Sequence, residues 1–156
     1  MPELPEVETT LRGIEPHLLN QRIARVVVRE HRLRWPVDGD VSKAEGQQLV
    51  CLHRRGKYLL LKLDQGGLII HLGMSGSLRI LETPVPPGKH DHVDVELDNG
   101  VSLRFNDPRR FGAFLWANGD LESHALLCDL GPEPLSDAFT ADYIYRLSRG
   151  RRVSVK

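Results

Sequence analysis

Cysteine, unbalanced charge and long apolar runs are all scarce in this chain of 156 residues. Cys51 and Cys128 are its only cysteines and lie far apart in sequence. That excludes a disulfide framework and a CxxC metal clip, and the two are expected to be buried free thiols. Lys and Arg number 21 against 21 Asp and Glu, giving zero formal net charge. A uniformly basic nucleic-acid binder is thereby excluded. The basic residues do bunch, at Arg22, Arg25, Arg29, Arg32 and Arg34, at Arg54, Arg55 and Lys57, at Arg109 and Arg110, and at Arg146, Arg149, Arg151, Arg152 and Lys156. Each bunch alone reads as a solvated face; only convergence on one surface would make a phosphate footprint. No apolar run is long enough to span a bilayer, and charge begins at Glu3 with no secretory-leader pattern, so a cytoplasmic protein is expected. The length and 40% hydrophobic content suit one domain with a real core. No internal repeat or low-complexity stretch is present.

What is present begins with Met1-Pro2-Glu3-Leu4-Pro5-Glu6-Val7. If Met1 is removed, Pro2 becomes a free secondary amine. Such an amine condensing with an aldehyde or a sugar C1′ has no second N–H proton to lose, so the adduct stays a cationic iminium and keeps drawing electrons. Glu3 tethers a carboxyl group beside it, able to give or take a proton. The same residues also read as a plain helix start, with proline at a first helical position and Glu3, Glu6 and Glu8 at the positive end of the helix dipole. Leu4, Val7, Leu11, Ile14 and Leu18 form one apolar helical face on either reading. Pro16 predicts an end near Ile14 or Glu15.

Beyond that helix the β-branched run Val26-Val27-Val28 predicts a strand over 22–29, and 37–46 a loop with a brief helical turn. Gln48 to His53 and Lys57 to Leu63 read as strands joined by Arg54-Arg55-Gly56, so that Lys57 leaves a tight turn. Leu68 to Leu72 is an apolar strand running into Gly73-Met74-Ser75-Gly76, a tight exposed loop. Methionine usually packs, so an exposed one between glycines needs a reason. Ser77 to Leu81 continues as strand, and Pro84-Val85-Pro86-Pro87-Gly88 is a stiff loop. His92, Asp94 and Glu96 alternate with Val93, Val95 and Leu97 as in a half-buried strand, which Asp98-Asn99-Gly100 returns through Val101, Leu103 and Phe105. Asn106 to Gly112 then interrupts with Arg109, Arg110 and Phe111, types suited to stacking and base contact but common by chance in so short a stretch. Ala113 to Trp116 resumes as strand, and Gly131-Pro132-Glu133-Pro134 makes a stiff corner. Thr140 or Ser136 can cap a final helix carrying Phe139, Tyr143, Ile144 and Leu147 and ended by Gly150. The pattern predicts an α+β, mainly β fold: a two-layer β-sandwich of about eight strands flanked by an N-terminal and a C-terminal helix.

Taken together, MPELPEVETT, RRGKYLLL, HLGMSGSLR, KHDHVDVEL, NDPRRFGAFLW and LGPEPLS closely resemble the N-terminal catalytic domain of bacterial formamidopyrimidine-DNA glycosylases, also called 8-oxoguanine DNA glycosylases. The resemblance runs the length of the chain in order, and the PELPE start favours this family over its sibling endonuclease VIII. It implies removal of oxidised purines from DNA followed by β,δ-elimination at the abasic site. By motif, Pro2 would be the nucleophile at C1′, Glu3 the acid that helps open the sugar, Lys57 a further proton donor that also reaches a phosphate, and Glu6 a supporting acid. Met74, Arg109 and Phe111 match the family's void-filling residues, Arg109 facing the orphaned base. His71 and His90 match positions that contact the DNA backbone. The implied partner is damaged double-stranded DNA, bound by a monomer and without a membrane. Extruding a base costs a few kcal/mol in stacking and pairing, so something must fill the hole.

The resemblance also implies a longer protein. The family continues past Lys156 into a helix–two-turn–helix segment and a zinc finger of four cysteines holding one Zn2+. Residues 1–150 are thus expected to be the catalytic domain and 151–156 the start of a linker, with no zinc or other cofactor in this chain. With fewer phosphate contacts the isolated chain should keep its nucleophile yet work poorly on intact duplex. The alternative is a DNA-binding fragment of the same family with weak or no catalysis.

Overall fold

The computed structural model describes residues 1–154. Val155 and Lys156, the end of the expected linker stretch and of the last basic bunch, lie outside the described residues. Helix α1 (Leu4–Leu18) opens the chain, strands β1 (Ile23–Val28), β2 (Leu49–Arg55), β3 (Tyr58–Leu63), β4 (Gly67–His71), β5 (Ser77–Leu81), β6 (Asp91–Leu97), β7 (Ser102–Asn106) and β8 (Ala113–Ala117) follow, and helix α2 (Ala141–Ser148) comes last. The strands form two antiparallel sheets, ordered β1-β6-β7-β5 and β2-β3-β4-β8. The expected two-layer sandwich with a helix near each end of the chain is therefore what the sequence folds into. Among the described residues no helix is long and apolar enough to cross a membrane.

The core lies between the sheets, where Leu59, Leu61, Leu63, Leu68 and Ile70 meet Val93, Val95, Leu103 and Phe105. Phe105 and Phe114 hold their ring centroids 6.1 Å apart across it. Val7, Leu11, Ile14 and Leu18 bury the apolar face of α1 against this core. A smaller cluster of Leu60, Ile69, Ala117, Leu121 and Leu127 covers the other face of the second sheet. That cover explains why β3 and β4 read as continuous apolar runs and not as alternations.

Several expectations need correction. Helix α1 does not stop near Ile14 or Glu15 but carries Pro16 inside it to Leu18. Proline removes one backbone bond, yet Leu18 is fully buried and Leu19 N–H still bonds Glu15 O at 2.9 Å, so packing outweighs the loss. Strand β2 extends through Arg54 and Arg55, leaving Gly56-Lys57 as a two-residue hairpin turn with Arg55 paired to Tyr58. Cys51 and Cys128 are exposed, not buried. Cys51 lies on β2, which stands at an edge of its sheet.

The polar face of β6 is not solvated either. His92 and Asp94 are 4% and 3% exposed. Asp94 pairs in register with Arg104 of β7, which is itself buried. The guanidinium donates to both carboxylate oxygens at 2.8 and 2.9 Å, Arg29 adds a third bond at 2.6 Å, and Arg104 reaches the carbonyl of Val85 at 2.9 Å. The proline-rich loop thus supplies an acceptor that completes a buried ion network. Alternation of polar and apolar residues looks the same whether the polar face meets water or counter-ions.

Candidate functional site

Sheet register assembles the site. Tyr58 pairs with His71 across β3 and β4, and His71 pairs with Ala113 across β4 and β8. Lys57 precedes Tyr58 and Gly112 precedes Ala113, so the Lys57 turn, His71 and the Phe111 loop meet at one end of one sheet. The two crossover segments 72–76 and 107–112 run side by side there, because β4 neighbours β8 in one sheet and β5 neighbours β7 in the other. Their backbones touch: a Cβ on Gly73, whose φ is +61°, would lie 2.5 Å from the carbonyl carbon of Phe111. Only glycine tolerates both that torsion and that approach.

These segments carry three exposed side chains, Met74, Arg109 and Phe111, into one place. Met74 and Phe111 are 40% and 44% exposed and line a hollow of about 480 Å³ with Met1, Arg34, His71 and Gly73. The Arg109 guanidinium lies 5.2 Å from the Phe111 ring centroid. Pro2 follows Met1 at the hollow and is half-buried. Glu3 is the N-cap of α1, and Glu6 accepts a bond from the Glu3 backbone N–H at 3.0 Å. Glu6 thereby fixes the backbone that carries Glu3. The Glu3 carboxylate meets Lys57 Nζ at 2.5 Å. A carboxyl group and an amine thus stand beside the chain's first residues, one from the helix start and one from the hairpin turn.

His71 accepts the Gly73 N–H on Nδ1 at 2.9 Å, which puts the proton of the neutral ring on Nε2. Burial pushes its pKa down, and the positive charges of Arg34 and Lys57 push the same way. The neutral ring thus keeps Nε2–H as a donor, and His71 lines the hollow. His90 does not line that hollow. Its carbonyl accepts Asp107 N–H at 3.0 Å, so it adjoins the root of the Arg109 loop and not the tip.

The basic bunches do not act together as the sequence suggested they could. Arg25, Arg29, Arg32 and Arg110 pair with Glu96, Asp94, Glu30 and Glu30, and Arg146 pairs with Asp142. Arg54 and Arg55 are committed to Glu133, and Arg54 also to Glu8. Arg34, by contrast, lies at the hollow, its guanidinium 4.6 Å from the Trp35 ring centroid. In sequence Arg34 stands inside a basic bunch, with no spacing that marks it as a site residue.

A second missed group is Glu133, which takes Gly56 N–H at 2.6 Å, Arg54 at 2.8 Å and Arg55 at 2.9 Å. Burial alone would raise its pKa, but these donors hold it below the usual carboxylate range. They also tie the turn bearing Lys57 to the corner 131–134. The motif LGPEPLS was the only sequence signal for it. Among the described residues no group of three or more His, Cys, Asp or Glu could hold a metal ion, so the residues present do not fit a zinc site.

The family model for the formamidopyrimidine-DNA glycosylase N-terminal domain matches residues 1–114. Formamidopyrimidine-DNA glycosylases of Stutzerimonas stutzeri (strain A1501) and Pseudomonas aeruginosa (strain LESB58) are 57% and 58% identical over 157 aligned residues. Each alignment takes in all of this chain, which spans 58% of those relatives' length. Among solved structures, the MutM (Fpg) protein of Thermus thermophilus superposes with a TM-score of 0.78 at 39% identity, over 93% of this chain and 52% of that one. Lactococcus lactis Fpg in complex with DNA containing an abasic site superposes with a TM-score of 0.85 at 30% identity, over 96% of this chain and 57% of that one.

Proposed function

Since this chain belongs to the formamidopyrimidine-DNA glycosylase family, we propose that it carries the base-excising and strand-cutting chemistry of an enzyme that repairs oxidised purines in duplex DNA. The observation that carries this reading is the Glu3–Lys57 pair at 2.5 Å, beside a hollow that Met1, Met74 and Phe111 line. In the reaction, the Pro2 nitrogen, a neutral secondary amine once Met1 is gone, forms a bond to C1′ as the bond from C1′ to the base breaks, and the N–H proton it sheds passes to the departing base. Glu3 gives a proton to the sugar ring oxygen, the ring opens, and C1′ and nitrogen become a cationic iminium. That cation acidifies the C2′ proton, whose loss expels the 3′ phosphate; a second elimination expels the 5′ phosphate and frees the strand ends. Lys57 serves as a further proton donor and phosphate contact, and Glu6 keeps Glu3 in place through its backbone bond.

Met74, Arg109 and Phe111 fill the stack vacated by the extruded nucleotide, Arg109 offering its fork of donors to the base left behind. Neutral His71 donates through Nε2–H to a backbone phosphate, and His90 contacts the backbone from beside the Asp107 root. Residues 1–150 form the catalytic domain and 151–156 begin a linker. A zinc finger, with its Zn2+, belongs to the part of the longer relatives outside this chain. The protein acts as a monomer in the cytoplasm, where its DNA is. Met1 favours a second reading: while it remains, the Pro2 nitrogen is an amide and the chain can bind without forming a bond to the sugar.

Borohydride trapping on an abasic-site oligonucleotide tests the proposal. The chain with Met1 removed is expected to give a covalent adduct that Pro2→Gly diminishes at least tenfold while DNA affinity stays within about twofold. Equal trapping by both proteins would sink the assignment of the nucleophile.

A further inference from the structure

Asp107 is fully buried, yet the chemistry above gives it nothing to do. Its carboxylate reaches both crossover segments. One oxygen accepts the Ser75 hydroxyl at 2.7 Å and the other accepts Gly112 N–H at 2.8 Å. The Ser75 oxygen in turn accepts Arg109 N–H at 3.0 Å. The backbone carbonyl of Asp107 takes the Nε2–H of buried His92 at 2.8 Å and Arg110 N–H at 3.2 Å. A single carboxylate therefore ties the loop bearing Met74 to the loop bearing Arg109 and Phe111, and the backbone carbonyl of the same residue roots the second loop on β6.

The torsions agree with a loop held closed from within. Arg110 has φ +58°, a left-handed conformation that costs a non-glycine residue and persists only where the surroundings enforce it. The Asp107–Gly112 bond closes the turn around Arg110. A Cβ on Gly112 would lie 2.9 Å from that same carboxylate and 2.6 Å from the His71 carbonyl, so the packing leaves no slack.

We propose that Asp107, bridged through Ser75, is the positioning residue that couples the two loops into one wedge, so that Met74 enters the DNA stack only together with Arg109 and Phe111. This rests on the repair reading above for its purpose, though not for its geometry. Buried hydrogen-bonded networks of this kind rigidify what they join, and a wedge already ordered in the free protein loses less freedom on insertion.

Ser75 is the position to vary, since Asp107 is buried among its donors and its loss would disturb the fold. Amide hydrogen exchange in the free chain of 156 residues needs no DNA: Ser75→Ala is expected to speed exchange at Arg109 about tenfold or more while core amides such as Leu60 keep their rates. Unchanged exchange at Arg109 overturns the pin. Borohydride trapping by the chain with Met1 removed then reads the coupling, comparing an abasic site in duplex with one in a single strand, which has no vacated stack to fill. Ser75→Ala should lower the duplex-to-single-strand ratio about threefold or more, Ser75→Thr should restore it, and on a Met74→Ala background Ser75→Ala should change nothing further. An unaltered ratio, or an equal further fall on that background, also overturns the proposal. A chain that traps neither substrate sinks the repair reading alone, and hydrogen exchange still decides the pin.

Discussion

His71 shows how much of the site is set by what surrounds a side chain. Its folded pKa lies below the ordinary 6.5 because burial and then Arg34 and Lys57 disfavour the imidazolium. As pH falls, the unfolded chain takes up the proton first, so this residue's share of stability is full above 6.5 and declines as pH drops from 6.5 toward the folded value. A two-dimensional NMR titration should find the His71 ring midpoint below the ordinary 6.5, and a midpoint at or above it would contradict the neutral donor. The motifs made His71 a candidate but said nothing about its charge state. Arg34 and Glu133 were harder to see, since an arginine in a basic bunch and a glutamate in a proline-rich corner have no distinguishing spacing. Their roles arise from partners far along the chain, Glu133 meeting Gly56 and Arg34 meeting the hollow.

Strand β6 carries two acidic residues two positions apart with very different prospects. Glu96 pairs with Arg25 at the surface, the side chains being 34% and 64% exposed. Asp94 pairs with Arg104 where both are 4% exposed. Burial would raise the pKa of Asp94, but its bonds to Arg104 and Arg29 outweigh that and hold it below 3.8. Its contribution is therefore present above pH 3.8 and lost as pH falls through the folded value. Urea unfolding near neutral pH should show Asp94→Asn costing about 3 kcal/mol, because buried Arg104 then keeps, of its carboxylate contacts, only the longer one to Asp91 at 3.7 Å, while Glu96→Gln costs about 0–1 kcal/mol. A loss below about 1 kcal/mol at Asp94 as well would mean that its pair behaves as a solvated one. Helix α1 teaches the same lesson, since Pro16 signals a stop that the burial of Leu18 overrides. Local rules read the chain one neighbour at a time, and both elements were decided by residues that only the folded chain brings beside them.

Over the molecule, most lysines and arginines among the described residues have a carboxylate partner, and Arg34, Lys57 and Arg109 stand about the hollow. Binding to a duplex carrying an abasic-site analogue should therefore depend only modestly on salt, with a log–log slope of about −2 to −3 by fluorescence anisotropy. A slope steeper than about −5 would require paired arginines to leave their carboxylates for phosphates. The amino-acid order by itself determined the sandwich with its two helices, because apolar periodicity and turn residues are local properties, and its motifs named the family and the groups Pro2, Glu3, Lys57, Met74, Arg109 and Phe111. Only the tertiary structure decided that Glu3 meets Lys57, that Arg25, Arg29, Arg54 and Arg55 find carboxylates, and that Ser75 and Asp107 join two loops. Those are contacts between residues tens of positions apart, fixed by sheet register and burial, and no local pattern encodes which distant partner a charge will find.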